Sequence, residues 1–179
     1  MEDANGSAGG ERRPEQGPTH WLELVTQISL CGRQLRRLLG EVTLPWNLSD
    51  TEFLCLWSCA RGAGSGVAQH DLAVSLSVSA AQMSGLVYDL RDRGLLDLER
   101  PARDRRRQQL RITGAGQLLL KRVLESMTGL LAELDRQVPR DDQKRLHEKL
   151  LRLNTLAHLQ SAGSVSRGPA EDRPMRRAS

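Results

Sequence analysis

The sequence predicts a mainly α-helical protein with a small β-hairpin wing, in which a winged helix-turn-helix lies between long N- and C-terminal dimerisation helices. Three features predict this fold class. They are helical periodicity in residues 67–94, two alternating segments around an arginine-rich loop, and apolar stripes on the terminal helices. A chain of 179 residues is long enough for one core, although an elongated helical dimer is also possible.

The two ends of the sequence differ in composition from the rest. Residues 1–18 are rich in Gly, Glu and Arg without an apolar run, and residues 161–179 are rich in Ser, Gly, Pro and Arg. Both compositions predict disordered tails, so the domain is expected over residues 19–160. Because the sequence shows neither a signal-peptide segment nor a membrane-length apolar stretch, we expect a cytoplasmic protein without a membrane partner.

The first two helices are predicted from apolar spacing and a capping signal. Residues 19–40 are predicted to form a long helix whose apolar residues recur at three- and four-residue steps. These are Trp21, Leu24, Val25, Ile28, Cys31, Leu35, Leu38 and Leu39. The central winged-helix core is expected over residues 49–113. Ser49 and Glu52 have the spacing of a capping box that starts its first helix. The glycine-rich residues 62–66 lack the spacing of a phosphate loop and predict a flexible linker.

The helix-turn-helix follows this linker. Seven apolar residues have spacings that place them on the inner faces of two crossing helices, namely Leu72, Leu76, Val78, Met83, Leu86, Val87 and Leu90. Ser79 and Gln82 form a second capping box, so the second helix should start at Ser79 or Ala80. It should end near Gly94, which can adopt a left-handed conformation.

Two half-buried strands and a basic loop are predicted next. Residues 96–99 and 110–112 alternate apolar and polar side chains. Between Arg100 and Arg111 there are six arginines and one acid, Asp104, a net charge of +5, whereas the whole chain carries only +4. A basic balance confined to one loop after a helix-turn-helix favours contact with nucleic acid over a merely solvated hairpin tip.

The last two helices are predicted beyond the wing. Thr113 is expected to cap a helix over residues 114–137, and Pro139 stands at the entry to a helix over residues 140–160. The first has a wide apolar face made by Leu118, Leu119, Val123, Leu124, Met127, Leu130, Leu131 and Leu134. The second has a narrower stripe made by Leu146, Leu150, Leu153, Leu156 and Leu159. Homodimerisation is the economical way to cover these faces, and an intrachain bundle is the alternative.

In the central segment the sequence resembles the MarR family of transcriptional regulators. The match runs through Gln69-His70-Asp71-Leu72-Ala73, Leu76-Ser77-Val78-Ser79, Leu90 with Arg93-Gly94-Leu95, Asp104-Arg105-Arg106, and Ile112-Thr113 with Gly116. Residues from about 18 to 160 follow the family's layout. The resemblance implies a homodimeric, ligand-responsive repressor that binds a pseudo-palindromic operator in double-stranded DNA, with a small-molecule effector and no cofactor.

The resemblance and the docking geometry of such domains divide the DNA contacts between two elements. The second helix would enter the major groove with Ser79, Ala80, Ala81, Gln82, Ser84, Gly85 and Tyr88. Gln82 is suited to a bidentate pair with adenine. In the minor groove, Arg106 matches the family's inserted arginine and Asp104 matches the acid that orients it. The other wing arginines, expected nearer the phosphates, are Arg103, Arg105 and Arg107.

The sequence departs from the family pattern in this second helix. Many members carry arginine where this chain has Gly85, and often a basic residue where it has Asp89. Residues 79–90 contain neither Arg nor Lys. Recognition would therefore depend more on the wing and on DNA shape. The departure keeps a second hypothesis open, namely a dimeric winged-helix module that binds protein without sequence-specific DNA binding.

Effector, redox, metal and catalytic sites are less clearly marked. Aromatic candidates for an effector cleft are Trp46, Trp57 and Tyr88, although ordinary packing explains each. A thiol-based redox sensor is a less favoured hypothesis that rests on Cys31, Cys55 and Cys59, for which buried inert thiols are the simpler interpretation. The histidines have no ligand spacing, and Ser65 lacks the full nucleophile-elbow motif. We expect neither an enzyme nor a metal site.

Overall fold

The structure is a computed structural model that describes residues 18–62, 66–99 and 109–164, with side chains over 19–62, 66–99 and 109–159. Residues 1–17 and 165–179 of the predicted tails, the middle of the predicted linker and the wing tip lie outside the described residues, whereas residues 161–164 of the second predicted tail belong to the last helix. The described elements are α1 (Pro18–Thr43), a 3₁₀ turn (Leu44–Trp46), α2 (Asp50–Arg61), β1 (Val67–Ala68), α3 (Gln69–Ser75), α4 (Ala80–Asp92), β2 (Leu96–Glu99), β3 (Gln109–Ile112), α5 (Gly114–Ser126), α6 (Thr128–Gln137) and α7 (Arg140–Ser164). The mainly helical fold with a small antiparallel sheet confirms the predicted fold class.

The chain folds as two compact units divided between Ser126 and Met127. The first, called the winged unit here, contains α1 to α5 and the sheet. The second, called the C-terminal unit, contains α6 and α7.

Both predicted capping boxes are present in the winged unit. The hydroxyl of Ser49 accepts a hydrogen bond from the backbone N–H of Glu52, whose carboxylate accepts from the N–H of Ser49. Ser79 and Gln82 form the same reciprocal pair at the start of α4. These bonds satisfy backbone donors that a helix start otherwise leaves unpaired, which fixes the first residue of each helix.

The sheet has the strand order β1-β3-β2, and both pairings are antiparallel. The predicted hairpin is confirmed, with Leu96 opposite Ile112 and Leu98 opposite Leu110. The two-residue strand β1 was not predicted, and it pairs with β3 through Val67 opposite Leu110. This third strand attaches the base of the wing to the segment that leads into the helix-turn-helix.

The core of the winged unit is mostly aliphatic, since only 3% of the residues in the chain are aromatic. Its fully buried large side chains come from α2, α3, α4, the strands and α5, and are Leu56, Leu72, Met83, Leu90, Leu96, Leu110 and Val123. Of the predicted inner-face residues, Leu76, Val78 and Leu86 are half-buried rather than buried. This core positions α4 and the two long strands relative to one another.

The single helix predicted over residues 114–137 is wrong in one respect, because α5 ends at Ser126 and α6 begins at Thr128. The Ser126 hydroxyl donates to the Val123 carbonyl oxygen at 2.7 Å, a bond that competes with regular helix geometry. Thr128 and Gly129 follow, and both residue types are poor helix formers. The outer helices are slightly longer than predicted, since α1 extends to Thr43 and α7 to Ser164.

Candidate nucleic-acid interface

Helix α4 separates a buried face from an exposed one. Its inner face consists of Met83, Val87 and Leu90, all buried in the winged unit. Every α4 residue that the sequence predicted to contact DNA is exposed, together with the cap residue Ser79: Ala80, Ala81, Gln82, Ser84, Gly85 and Tyr88. The structure thus brings these seven residues together on one accessible surface, which we call the α4 face.

The turn before α4 holds that face in a defined orientation. Ser77 adopts a left-handed conformation with φ of 55°, and its N–H donates to the Val74 carbonyl oxygen at 3.1 Å. The N–H of Val78 donates to the Ala73 carbonyl oxygen at 3.0 Å. These bonds close the turn between α3 and α4, so that α4 crosses α3 as in a helix-turn-helix.

The capping box occupies the Oε1 atom of the Gln82 side chain. Its Oε1 atom accepts a hydrogen bond from the Ser79 N–H at 2.9 Å. A bidentate pair with adenine would use this same Oε1 atom together with Nε2. Because the capping bond is made within the folded protein, the Nε2 donor is the part of Gln82 best placed to meet an acceptor on DNA.

Two further contacts define the middle of the α4 face. Gln69, the first residue of α3, donates from Nε2 to the Ser84 hydroxyl at 3.2 Å, and this hydroxyl donates to the Ala80 carbonyl oxygen at 2.9 Å. No sequence pattern predicts this contact of Gln69. At Gly85, an added Cβ atom would meet nothing within 4 Å. The packing of the winged unit therefore does not require glycine at that position.

Two of the motifs that resemble the MarR family connect the base of the wing to the end of α4. They are Arg93-Gly94-Leu95 and Ile112-Thr113 with Gly116. Gly94 is left-handed with φ of 67°, as predicted for the residue that ends the helix. The Thr113 hydroxyl donates to the Gly94 carbonyl oxygen at 2.7 Å and accepts from the Gly116 N–H at 3.0 Å. A Cβ atom at Gly116 would overlap the Leu95 carbonyl oxygen. Thr113 thus caps α5, as predicted, while joining it to the turn before β2.

Ion pairs connect α4 and the wing strands to their surroundings. Arg93, just after α4, donates from Nη1 to the Glu52 carboxylate on α2 at 3.0 Å, and both side chains are mostly buried. Glu52 therefore serves the α2 cap and holds the end of α4 at the same time. In the wing strands, Arg111 on β3 pairs with Glu99 on β2.

The predicted wing contacts belong to a segment outside the described residues. Arg103, Asp104, Arg105, Arg106 and Arg107 lie outside the described residues. The strands that lead to them are described, and β2 and β3 pair over Leu96–Glu99 and Gln109–Ile112. The arginine loop is therefore attached to a defined hairpin base, while its own contacts stay predictions.

Two of the three cysteines interact with each other inside the winged unit. Cys55 and Cys59 lie one turn apart on α2, where both are buried, as predicted, whereas Cys31 on α1 is exposed. A hydrogen bond with Cys59, reinforced by burial, raises the pKa of Cys55 well above its ordinary value. The same bond lowers the pKa of Cys59, against the opposing effect of burial.

The other predicted candidates are dispersed. Trp46 and Trp57 are half-buried, and the guanidinium of Arg61 lies 5.7 Å from the centre of the Trp57 ring. Across residues 18–62, 66–99 and 109–164, no group of three or more His, Cys, Asp or Glu side chains is arranged to hold a metal ion. Within the same ranges, no helix is both long and apolar enough to span a membrane.

Comparison with known proteins supports this interpretation of the fold. Residues 46–107 match the sequence profile of the MarR family, which confirms the predicted resemblance for that segment. The segment includes α2, the helix-turn-helix, β2 and the arginine loop. No curated protein matches the sequence.

Several solved structures share the fold at low sequence identity. CouR from Rhodococcus jostii RHA1, solved with p-coumaroyl-CoA, has a TM-score of 0.65 and 20% identity over 73% of this chain and 91% of its own. The transcriptional regulator BldR from Sulfolobus solfataricus has a TM-score of 0.65 and 23% identity over 76% of this chain and 99% of its own. MOSR from M. tuberculosis, solved in complex with DNA, has a TM-score of 0.59 and 21% identity over 75% of this chain and 96% of its own.

Proposed function

Because residues 46–107 carry the winged helix-turn-helix segment of the MarR family, we propose that this protein is a transcriptional regulator that binds a pseudo-palindromic DNA operator as a homodimer. The observation that carries the proposal is the α4 face. Its side chains are exposed in a helix whose other face is core, and the helix is held at both ends by the Ser79 cap and the Arg93–Glu52 pair. A helix fixed in this way can enter the major groove without rearrangement.

The wing supplies the charge that the α4 face lacks. The only charged residue of α4 before Arg91 is Asp89, whereas the hairpin from Arg100 to Arg111 carries a net charge of +5. We infer that Arg106 enters the minor groove with Asp104 orienting it, and that the neighbouring arginines neutralise phosphates. Most of the affinity would then be electrostatic and fall steeply with salt.

Exposed apolar faces support the homodimer. No described side chain of α6 or α7 is buried, although both helices are rich in leucine. Helix α1 also exposes large apolar side chains, including Trp21, Val25 and Leu35. Patches of this kind mark interaction sites, and a second copy of the chain is the partner that two-fold operators require. Two α4 helices would then meet half-sites about one helical turn apart.

We further propose that a small-molecule effector releases a repressor by shifting the separation of its two winged units. Support comes from the relatives, since CouR holds p-coumaroyl-CoA and MOSR holds DNA in their solved structures. Redox sensing through a thiol is a less favoured hypothesis than release by a small-molecule effector. It predicts that hydroperoxide treatment lowers DNA affinity, and unchanged affinity after treatment would end it.

The test of DNA recognition is selection from a pool of random duplex DNA at several salt concentrations, followed by sequencing of the retained molecules. We expect enrichment of a two-fold site and a steep loss of affinity with salt. Salt-sensitive binding without enrichment would mean that the wing holds DNA while α4 does not read bases. Absence of binding at low salt would contradict the proposal.

The wing makes a separate prediction. Arg106→Ala should weaken operator binding by about 1–3 kcal/mol if Arg106 contacts base edges. Arg122→Ala, which removes the same charge from the exposed side of α5, is the matched control and should leave operator binding nearly unchanged. Equal affinities of the Arg106→Ala variant and the wild type would show that the wing does not read the site.

A dimeric protein-interaction module is the second candidate function. It is favoured by Tyr88, which is 68% exposed on the α4 face next to Asp89, because exposed aromatics are typical anchors of protein interfaces. This module would retain acidic protein surfaces through its arginine wing but would enrich no DNA site. A pull-down against acidic polypeptides, run beside the DNA selection, separates the two functions.

A further inference from the structure

The strongest site outside the α4 face and the wing is a pair of thiols in the winged unit. Cys55 is fully buried and Cys59 is 5% exposed, and one thiol–thiol hydrogen bond joins them across one turn of α2. Neither sulfur belongs to a disulfide. The proposed mechanism of DNA binding uses neither residue.

A cavity reaches one of these sulfur-bearing residues. It has a volume of about 200 Å³ and lies among α2, β3 and the start of α5. Its lining consists of Cys59, Ala60, Gly66, Arg111, Ile112 and Gln117. Gly66 is left-handed with φ of 77°, and a Cβ atom there would come within 3.0 Å of Gln109 Cβ. Glycine at this position thus serves the close approach of its backbone to β3.

The spacing of the two thiols decides which chemistry fits them. Side chains one turn apart on a helix have Cβ atoms about 5–6 Å apart, whereas a relaxed disulfide needs about 3.5–4.5 Å. A direct S–S bond would therefore distort α2, but a single atom between the sulfurs would not. Zinc prefers four ligands, and the described residues offer no third His, Cys, Asp or Glu for such a cluster.

We propose that Cys55 and Cys59 form a two-coordinate thiolate site for a soft monovalent metal ion of the Cu(I) type. Thiolates are the ligands that such ions select over carboxylates and amides. On binding, two S–H bonds break, two S–Cu bonds form and two protons pass to solvent. No electron is transferred, and the resulting Cu(Cys)₂ centre carries one negative charge.

The charged groups nearest the pair are already compensated. Arg111, at the cavity wall, is paired with Glu99 on β2. The Glu52 carboxylate, which raises the pKa of Cys55, is paired with Arg93. The cavity also gives the ion a path to Cys59, which a metal site in the core requires.

Anaerobic titration of the full-length protein with Cu(I), in competition with bicinchoninate, tests the site. We expect the wild type to take one Cu(I) per chain from the chelator. Cys55→Ala and Cys59→Ala should each weaken binding by at least roughly 100-fold, because even second-shell changes cost about 10–100-fold. Cys31→Ala is the matched control and should bind like the wild type.

A second measurement makes the result independent of variant folding. In the wild type, Cu(I) should protect two thiols from a thiol reagent while the exposed Cys31 continues to react, and X-ray absorption should show two sulfur ligands. Loss of Cu(I) in Cys31→Ala, or wild-type binding no tighter than that of the Cys55→Ala/Cys59→Ala double variant, would overturn the proposal. Because no DNA is present, either result is independent of the proposed regulatory function.

Discussion

The winged unit and the C-terminal unit place the same residue type in opposite environments. The leucines of the winged unit include Leu56, Leu90 and Leu110, which are fully buried. The leucines of α6 and α7 are half-buried or exposed, and no described side chain of either helix is buried. Burial of apolar surface contributes about 25 cal/mol per Å², so the buried leucines stabilise the winged unit, whereas the described leucines of α6 and α7 gain less from burial.

This difference separates the roles of the two units. Helices are only marginally stable in water without packing of their apolar face, and α6 has only 10 residues. The C-terminal unit therefore needs a surface that covers its leucines, whereas the winged unit does not. We infer that the winged unit is the pre-formed binding element and that the stability of the C-terminal unit depends on assembly.

The largest expected loss of stability comes from replacing a buried leucine of the winged unit, compared with an exposed leucine of the C-terminal unit. Leu110→Ala empties a fully buried position on β3 and should lower the free energy of unfolding by about 2–5 kcal/mol in chemical denaturation. Leu150→Ala is the matched substitution on α7, where the side chain is 40% exposed. In an uncovered helix it should cost less than about 0.5 kcal/mol.

Protein concentration then distinguishes the two hypotheses for α7. If a second copy covers α7, Leu150→Ala should shift the monomer–dimer equilibrium toward monomer in analytical ultracentrifugation, and its stability loss should depend on concentration. The loss of unfolding free energy caused by Leu110→Ala should not change with protein concentration, provided that the concentration is high enough for the protein to be fully dimeric. A wild-type protein that sediments as a monomer throughout would refute the dimer.

The next effect concerns the close contact at the base of the wing. Gly116→Ala should lower the free energy of unfolding by about 1–3 kcal/mol, because its methyl group would overlap the Leu95 carbonyl oxygen and force a backbone shift. Gly114→Ala, two residues earlier on α5, meets nothing within 4 Å and is the control that should not destabilise. Thermal unfolding of both variants measures the difference, and equal melting temperatures would exclude this contact as a constraint.

A smaller effect is expected at the cap of α4. Ser79→Ala removes the acceptor for the Gln82 N–H, which should cost about 0.5–2 kcal/mol. Ser84→Ala is the matched control in the same helix, because the Ser84 hydroxyl caps no backbone N–H: it donates to the Ala80 carbonyl oxygen and accepts from the Gln69 side chain. Urea denaturation should rank the Ser79 variant below the Ser84 variant. The reverse order would show that the capping box does not stabilise α4.

Features that depend on neighbouring residues were predictable from the sequence. Each capping box needs only residues three positions apart, and strand alternation in β2 and β3 appears within four residues. The left-handed Gly94 followed from its place at the end of a periodic segment. The strand β1 was missed because two residues carry no alternation, and only the pairing with β3 defines it.

Features that join distant residues were not predictable in the same way. The Gln69–Ser84 bond spans 15 positions and the Arg93–Glu52 pair spans 41, so no local pattern marks them. The break at Met127 was missed because apolar spacing continues across it. The exposure of the α4 face agrees with its predicted place on the outer side of a crossing helix, but the contact roles of its residues stay predictions.

The smallest effect compares one glycine from each unit. Gly85 on α4 and Gly129 on α6 both leave open space where a Cβ atom would lie, and neither has a positive φ. Changing either to Ala should raise the intrinsic helix stability by about 0.5–1 kcal/mol, because glycine loses more backbone entropy on folding. For Gly85 this gain should appear directly in the unfolding free energy of the winged unit.

DNA-binding measurements on Gly85 variants test whether α4 lies in the groove. Gly85→Arg would place a positive charge on the α4 face where many relatives have one. We therefore expect tighter DNA binding at low salt. The slope of log affinity against log salt concentration should also become steeper by about one phosphate contact. Gly129→Arg adds the same charge to the C-terminal unit and should leave the salt slope unchanged. If Gly85→Ala stabilises the fold but weakens operator binding, the glycine is kept for close approach of DNA. If neither Gly85 variant alters binding, α4 is not in the groove, and the protein-interaction function becomes the better explanation of its exposed face.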